Sequence, residues 1–389
     1  MQGQHNKRGE FQFIMLRIGI LGGGQLGRML LQEAPNYPVD VHILESDPNC
    51  PASNVGKNLY TGNFSSFEDV IAFGKAMDVL TIEIEHVNVD ALQYLEDQGV
   101  KIIPRSACLR TIKDKIEQKK FYQQQGIQSP AYRVIHTRDE LNGHLDFLPA
   151  AQKLAKGGYD GKGVQLILHN DDIAKGFDAP SVLEKLVDID KEIAVTVAVG
   201  QDGATAIYPA VEMVFDPVLN VLDVQVCPAG ISAAVLDKAN ALAVKVATGF
   251  ASPGLFAVEM FVDQQGEVWV NETAPRVHNS GHHTIEAHYS SQFDMLWRIL
   301  LGYPLGNTEM IQSSVMLNIL GAEGEVGPVR YEGLEAVLVI PNAFVHLYGK
   351  QSTKPGRKMG HVTLMGDDVP QLLQQAHQIK TTLLVKAQH

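Results

Sequence analysis

At 389 residues the chain is too long for one compact core, and two or three domains are expected. Its 45% hydrophobic content supports burial, and no apolar run approaches membrane-spanning length, so a soluble globular protein without a membrane partner is expected. Lysine and arginine (32) against aspartate and glutamate (44) leave a formal charge of -12, which argues against a nucleic-acid partner and leaves only local basic pockets for anions.

Residues 1–14 are polar and irregular, without the apolar centre and cleavage site of a signal peptide. They are read as an extension ahead of Met15, outside the fold. Residues 15–110 alternate strand and helix signals: "LRIGILG", "QLGRMLLQEA", "DVHILE", "SFEDVIAFGKAM", "DVLTIEIEHV", "DALQYLEDQG", "VKIIP". Such alternation predicts a Rossmann-like domain, a parallel sheet with helices on both faces. Ligands bind beyond the carboxyl ends of its strands, where the turn at 22–24 and the group Glu83, Glu85 and His86 lie.

A basic helix, "TIKDKIEQKKFYQQQGI", opens a small domain over 111–190 with a glycine-rich hairpin in "AAQKLAKGGYDGKGVQLI". Residues 191–389 form a third region, dominated by strands from Glu192 onward. A helix is expected near 235–250, and a β-rich subdomain from about 315 closes with a helix near 369–386. The class is α/β followed by α+β. Cys50, Cys108 and Cys227 show neither pairing nor metal spacing, as free thiols of a reducing cytoplasm would.

Five stretches carry chemistry. In "GILGGGQLGRM", Gly22, Gly24 and Gly27 have the G-x-G-x-x-G spacing, with Glu45 where a ribose-binding acid would stand. The turn fits a dinucleotide, another phosphate held at a helix N-terminus, or simply a tight turn. In "KGGYDGKG", four glycines surround Tyr159 and Asp160 beside Lys153, Lys156 and Lys162, a lid suited to polyphosphate or a solvated hairpin. "FAVEMFV" and "EVWVNET" form a hairpin; an even loop would set Val262 against Glu267 and leave Glu259 and Glu272 as diagonal neighbours on one face. Two such acids call for a cation, and magnesium with nucleotide phosphates suits them; a register one residue off would part them. "NETAPRVHNSGHHTIEA" crowds Arg276, His278, Asn279, His282 and His283 after Glu272. Without cysteine ligands beside them, these fit an anion or substrate loop better than a transition metal. "YGKQSTKPGRKMGH" holds Lys350, Lys354, Arg357 and Lys358, a basic cluster for a phosphate or a charged surface loop.

Taken in order, "GGGQLGRM", "GGYDGKG", "AVEMFV", "NETAPRVHNSGH" and "GRKMGH" make the chain resemble the ATP-grasp carboxylases of purine biosynthesis, the 5-(carboxyamino)imidazole ribonucleotide synthase family, from about Leu16 to the C-terminus. The resemblance implies a Rossmann-like pre-ATP-grasp domain, an ATP-grasp fold and a rudimentary C-terminal subdomain. It implies a cytoplasmic homodimeric ligase that uses ATP, magnesium (or manganese) and bicarbonate to carboxylate the exocyclic amine of aminoimidazole ribonucleotide through carboxyphosphate. Glu259 and Glu272 would then hold the metal. Lys115 and Lys153 would meet ATP phosphates beneath a lid with Gly158 and Gly161. Glu184, Lys185 and Leu186 would form the adenine hinge, and Glu192 would bind the ribose. Arg276, His278, Lys358, Asp160 and Tyr159 would serve the reacting groups. The ribonucleotide would meet Gly24, Gln25, Leu26, Glu83, His86 and Asn279, with its phosphate at Lys350 and Arg357. Two departures stand out: Lys115 where many relatives have arginine, and His283 where tryptophan is common.

Three rivals remain: another ATP-grasp carboxylate–amine ligase such as a formate-dependent ribonucleotide transformylase, an NAD-dependent oxidoreductase, and a silent ATP-binding regulator. The second leaves the paired glutamates and the lid unexplained. Retention of Glu259, Glu272, Asp160, Arg276 and Lys358 argues against the third.

Overall fold

The strand–helix alternation of the first hundred residues is realised as a parallel sheet. In the computed structural model, which describes residues 15–158 and 163–388, the chain divides into two units, Met1–Ile103 and Pro104–His389. In the first, β1 (Leu16–Leu21), β2 (Val39–Glu45), β3 (Asn58–Thr61), β4 (Val79–Ile82) and β5 (Lys101–Ile102) lie in the order β3-β2-β1-β4-β5. The central β1 is buried from Ile18 to Leu21, the apolar run required of a strand covered on both faces. Helices α1 (Gln25–Glu33), α2 (Phe67–Gly74) and α3 (Val89–Asp97) connect the strands, α2 and α3 starting where Ser66 and Asn88 cap them. Strand order reverses at β1, so the crevice lies beyond its carboxyl end, at Gly22.

Gly22 adopts φ +104, and a Cβ there would come within 2.6 Å of Glu83 Cγ. Gly22→Ala is therefore expected to cost about 1–3 kcal/mol of stability. Urea denaturation checks this; a change of a few tenths would contradict the packing.

In the second unit, α4 (Ser106–Ile112) precedes α5 (Lys115–Gln124), whose first turn is capped by Asp114 accepting from Ile116 N and Glu117 N. A four-stranded antiparallel sheet follows: β6 (Tyr132–Ile135), β7 (Ala150–Leu154), β8 (Val164–Ile167) and β9 (Ser181–Lys185), ordered β6-β9-β7-β8. The large sheet begins with β10 (Ile189–Val199), β11 (Thr205–Ile207), β12 (Val211–Phe215) and β13 (Leu222–Cys227). After α6 (Ala233–Gly249) come β14 (Gly254–Asp263) and β15 (Val268–Ala274). Ala239, Ala243 and Val246 of α6 pack on Val195, Val197, Phe256 and Val258, small residues letting the helix lie close to the sheet.

Then α7 (Thr284–Ala287) and α8 (Gln292–Leu301) lead to β16 (Ser314–Leu320) and β17 (Gly327–Glu332). They are followed by α9 (Leu334–Leu338), β18 (Ala343–Leu347), β19 (Ser352–Thr353), β20 (Lys358–Met365), α10 (Val369–Thr382) and β21 (Leu384–Ala387). The large sheet runs β15-β14-β10-β12-β13-β16-β20-β18, with β11 beside β10; the C-terminal strands thus join it through the β13–β16 pairing. The closing helix ends at Thr382, short of the expected 386, because Leu384–Ala387 pairs antiparallel with β17. No helix among the described residues is long and apolar enough to cross a membrane.

Candidate active site

The hairpin β14–β15 sets the site, and its register differs from the even-loop expectation. Asp263 N donates to Glu267 O (3.0 Å), and Gly266 at φ +75 makes the turn, leaving three residues in the loop. Val262 consequently faces Val268, and Met260 faces Val270. Continued, that register would place Asn271 opposite Glu259 and send Glu272 to the other side of the sheet. A β-bulge takes up Asn271 instead, and Glu259 faces Glu272 directly. The pair is closer than the diagonal expected.

Neighbouring strands extend this face. Glu192 of β10 lies opposite both Phe261 and Met213. Directly opposed residues share a face, so three carboxylates and two apolar side chains look the same way. Two half-buried acids facing one another repel, and the surroundings divide their load. Lys115 Nζ, on α5, meets Glu272 Oε2 at 2.6 Å and holds that carboxyl well below the usual range, although burial opposes. Burial, then Glu272 and Glu192, push Glu259 upward. His278 Nε2 stands 3.6 Å from Glu259 Oε1, but burial, Arg276 and Lys358 depress the imidazole to about 3, so it brings no charge at neutral pH. Ser280 N donates to His278 Nδ1 (3.3 Å), which puts the ring proton on Nε2, toward Glu259. Glu259 and Glu192, both raised, are thus short of positive charge beside the Lys115-paired Glu272, the condition a hard divalent cation with oxygen ligands relieves.

Beside them lies a buried ionic cluster. Glu184 Oε2 is 3.1 Å from both Lys119 Nζ and Lys153 Nζ, and Lys153 also donates to Asn271 Oδ1 (2.8 Å). Burial would raise the Glu184 carboxyl, yet the two lysines outweigh it and lower it; burial brings Lys119 down to about 8. Glu192 is raised by burial, against the pull of Lys153.

A cavity of about 410 Å³ unites these groups within the second unit. Lys115, Lys153, Glu192, Glu259 and Glu272 line it, as do His278, Asn279 and Lys358. Lys185 and Leu186 border it at the β9 end, and Gly158 also lines it. The Lys185 ammonium itself donates to Phe147 O (3.2 Å) and Leu148 O (3.0 Å). Met213, Phe261 and Leu222 supply apolar walls against which a flat base can lie. Tyr159, Asp160 and Gly161 lie outside the described residues.

Not every expected residue converges here. Lys358 reaches the cavity, but the Arg357 guanidinium bonds Ser352 O (2.8 Å) and Oγ (2.9 Å), and Lys350 Nζ donates to Lys358 O (2.5 Å). Arg276 Nη1 donates to Val277 O (2.9 Å). His282 is fully buried, its ring 4.8 Å from that of His361, and is a core residue.

In the first unit, the glycine turn already has its anions. Gly24 N and Gly27 N donate to Glu83 Oε1 (2.9 Å) and Oε2 (3.1 Å), and Gly23 N donates to Glu45 Oε2 (2.8 Å). The preference of the α1 N-terminus for negative charge is met internally, by the Glu83 carboxylate. Glu45 gains a purpose, bracing Gly23 and the Ser46 amide (2.7 Å). Gln25 and Leu26 open α1, and His86 is exposed just past β4.

Sequence reasoning overlooked Asn271 and Lys119. Lys119 stands four residues after Lys115, on the same side of α5, a spacing that marks neighbours on a helix. Nothing local marks Asn271, whose importance comes from the bulge.

Three family models match: a ribonucleotide synthetase preATP-grasp domain over residues 15–113, an ATP-grasp domain over 120–293, and a phosphoribosylaminoimidazole carboxylase C-terminal domain over 314–375. A chloroplastic phosphoribosylaminoimidazole carboxylase of Vigna aconitifolia is 37% identical over 90% of this chain, which spans 64% of the plant protein's length. The crystal structure of N5-carboxyaminoimidazole ribonucleotide synthetase from Thermotoga maritima is 38% identical, with a TM-score of 0.89 over 96% of this chain and 100% of that one. An N5-carboxyaminoimidazole synthase from Aspergillus clavatus, solved in complex with ADP and 5-aminoimidazole ribonucleotide, is 34% identical with a TM-score of 0.86, covering 94% and 99%.

Proposed function

Because the chain belongs to the N5-carboxyaminoimidazole ribonucleotide synthase family, ATP-dependent ligases of purine biosynthesis, we propose that it carboxylates the exocyclic amine of 5-aminoimidazole ribonucleotide by way of carboxyphosphate. A bicarbonate oxygen attacks the γ-phosphorus and ADP leaves. The amine nitrogen then bonds the carboxyl carbon as inorganic phosphate departs. The observation that carries this reading is the Glu259–Glu272 pair, faced across a bulge with Lys115 and Lys153 beside it.

Glu259 and Glu272 are the residues that would hold magnesium, which when bound neutralises phosphate charge during transfer. Lys115 and Lys153 then face the phosphates, Gly158 and Gly161 the lid side. Leu186 and the Lys185 backbone border the base, with Glu192 toward the ribose. Glu184 contributes by fixing Lys153 rather than by reaching the base. His278, neutral with its proton on Nε2, is suited to pass a proton or hydrogen-bond bicarbonate, while Arg276 and Lys358 bring positive charge to carboxyphosphate. Asp160 and Tyr159, outside the described residues, are assigned to the same reacting groups by the family resemblance. Gly24, Gln25, Leu26, Glu83, His86, Asn279, Lys350 and Arg357 are assigned to the ribonucleotide. Glu83 acts through the turn it braces, and Arg357 must leave Ser352 to reach a phosphate. A cytoplasmic homodimer belongs to the same reading, and sedimentation velocity tests its oligomeric part.

Phosphate release from ATP should require magnesium and rise on adding aminoimidazole ribonucleotide, with bicarbonate rather than formate appearing in the product. Absence of stimulation by this nucleotide overturns the assignment. Lys358→Ala should retain ATP affinity while losing about 10²-fold in stimulated turnover; a matching loss in ATP affinity would move Lys358 to the nucleotide phosphates.

A further inference from the structure

A second constellation lies elsewhere in the second unit, on groups that the proposed chemistry does not use. Cys227 ends β13, and His283 and His288 bracket the short α7. The three are 1%, 2% and 3% exposed. One potential ligand atom from each, the sulfur and two ring nitrogens, lies within 4.8 Å of the others. Local spacing does not signal this cluster, because the cysteine arrives from a strand far back in the chain.

Hydrogen bonding leaves the cluster unfinished. Among the described residues, neither ring nitrogen of His288 has a hydrogen-bond partner, nor does His283 Nε2. A buried polar group left unmet is destabilising, and three in one place point to a missing ligand. Gln225 stands at the back: its side-chain amide meets His283 Nδ1 at 2.7 Å. The atom facing the ring is the amide Nε2, and Oε1 has no partner among the described residues; turned end for end, the amide would accept from Nδ1–H and leave the Nε2 lone pair bare, the arrangement that orients metal-bound histidines. Met310 pairs with His288 through an isolated bridge, and its Sδ is 3.9 Å from Cys227 Sγ. Ligand atoms of a tetrahedral site with zinc-like bond lengths are separated by about 3.3–3.8 Å, so small side-chain rotations suffice.

We propose that Cys227, His283 and His288, with the Met310 thioether as fourth neighbour, form a buried site for a thiophilic d¹⁰ ion, Zn²⁺ or Cu⁺. The ion would join the end of β13 to the segment that follows His278 and Asn279. Imidazole and thiolate suit both ions, whereas magnesium, which demands oxygen, is excluded.

Metal analysis of the full chain purified without chelator, followed by titration with Co²⁺ and Zn²⁺ and, anaerobically, Cu⁺ against a chromophoric competitor, tests this. Co²⁺ should give a thiolate charge-transfer band and intense tetrahedral d–d bands at one ion per chain, both displaced by Zn²⁺. Cys227→Ser should abolish the charge-transfer band and His288→Asn should weaken binding at least tenfold. Gln225→Leu should weaken it about 10–100-fold. Met310→Leu should selectively weaken Cu⁺ if copper is the native ion and leave both unchanged if zinc is. Far-UV circular dichroism on each variant separates lost ligation from lost folding, and His288→Asn serves if Cys227→Ser does not fold. No charge-transfer band in the folded parent protein, with no retained metal, would assign the pocket to a buried water and overturn the proposal.

Discussion

Glu272→Gln is expected to lower magnesium-dependent, nucleotide-stimulated phosphate release by about 10³-fold or more while leaving the fold intact. The amide keeps the shape but removes the charge that faces Glu259 across the hairpin and pairs with Lys115 at 2.6 Å. Two consequences follow. The metal loses an anionic ligand, and Lys115 is left without the contact that now raises its pKa despite burial. Titrating activity against magnesium separates the effects: a defect overcome by excess metal belongs to affinity, and one that persists at saturation belongs to the transition state. Full activity in Glu272→Gln would remove the metal role from this carboxylate.

Glu184→Ala is expected to have the largest effect on stability, about 3–5 kcal/mol, because it strands two lysines. Glu184 is 3% exposed and Lys119 1% exposed, and the carboxylate is the counter-charge held 3.1 Å from both Lys119 and Lys153. The pH dependence has a definite sign. A carboxyl lowered on folding contributes stability that is full above its unfolded pKa and is lost as pH falls through the folded one. The gap between parent and variant should therefore be wide at neutral pH and narrow on acidification. Urea denaturation of the second unit's transition between neutral and acidic pH measures it. A gap that stayed constant with pH would mean lost packing rather than lost charge, and Lys119→Met in the Glu184→Ala background should recover part of the loss only if charge is responsible.

Much of the architecture was legible locally. The glycine turn, the alternating segments around it and the hairpin around "DQQG" announce themselves by period and turn chemistry, and they form as read except for the hairpin's register. Helix α8 does not announce itself. Seven of its ten residues are buried, and only the ion pair of Asp294 and Arg298 (2.8 Å), four residues apart, marks its outer face, although Ser291 at its start and the left-handed Gly302 at its end are capping signals of the ordinary kind. The end of α10 was misjudged for a related reason: Leu384–Ala387 leaves the helix because β17 offers strand pairing, a partner more than fifty residues away.

By itself, the sequence determined the kinds of element and the list of acids, lysines and histidines available for phosphate chemistry, all properties of short windows. Only the tertiary structure decided which of them meet. The bulge at Asn271 restores Glu272 to the side of Glu259 after an odd loop would have parted them. Glu83 and Glu45 occupy the amides that a phosphate could otherwise have claimed. Cys227 comes within reach of His283 and His288 because β13 runs through the middle of the sheet. Each outcome rests on side-chain contacts between residues far apart in the chain, and such contacts are set by register and packing, which no local pattern encodes.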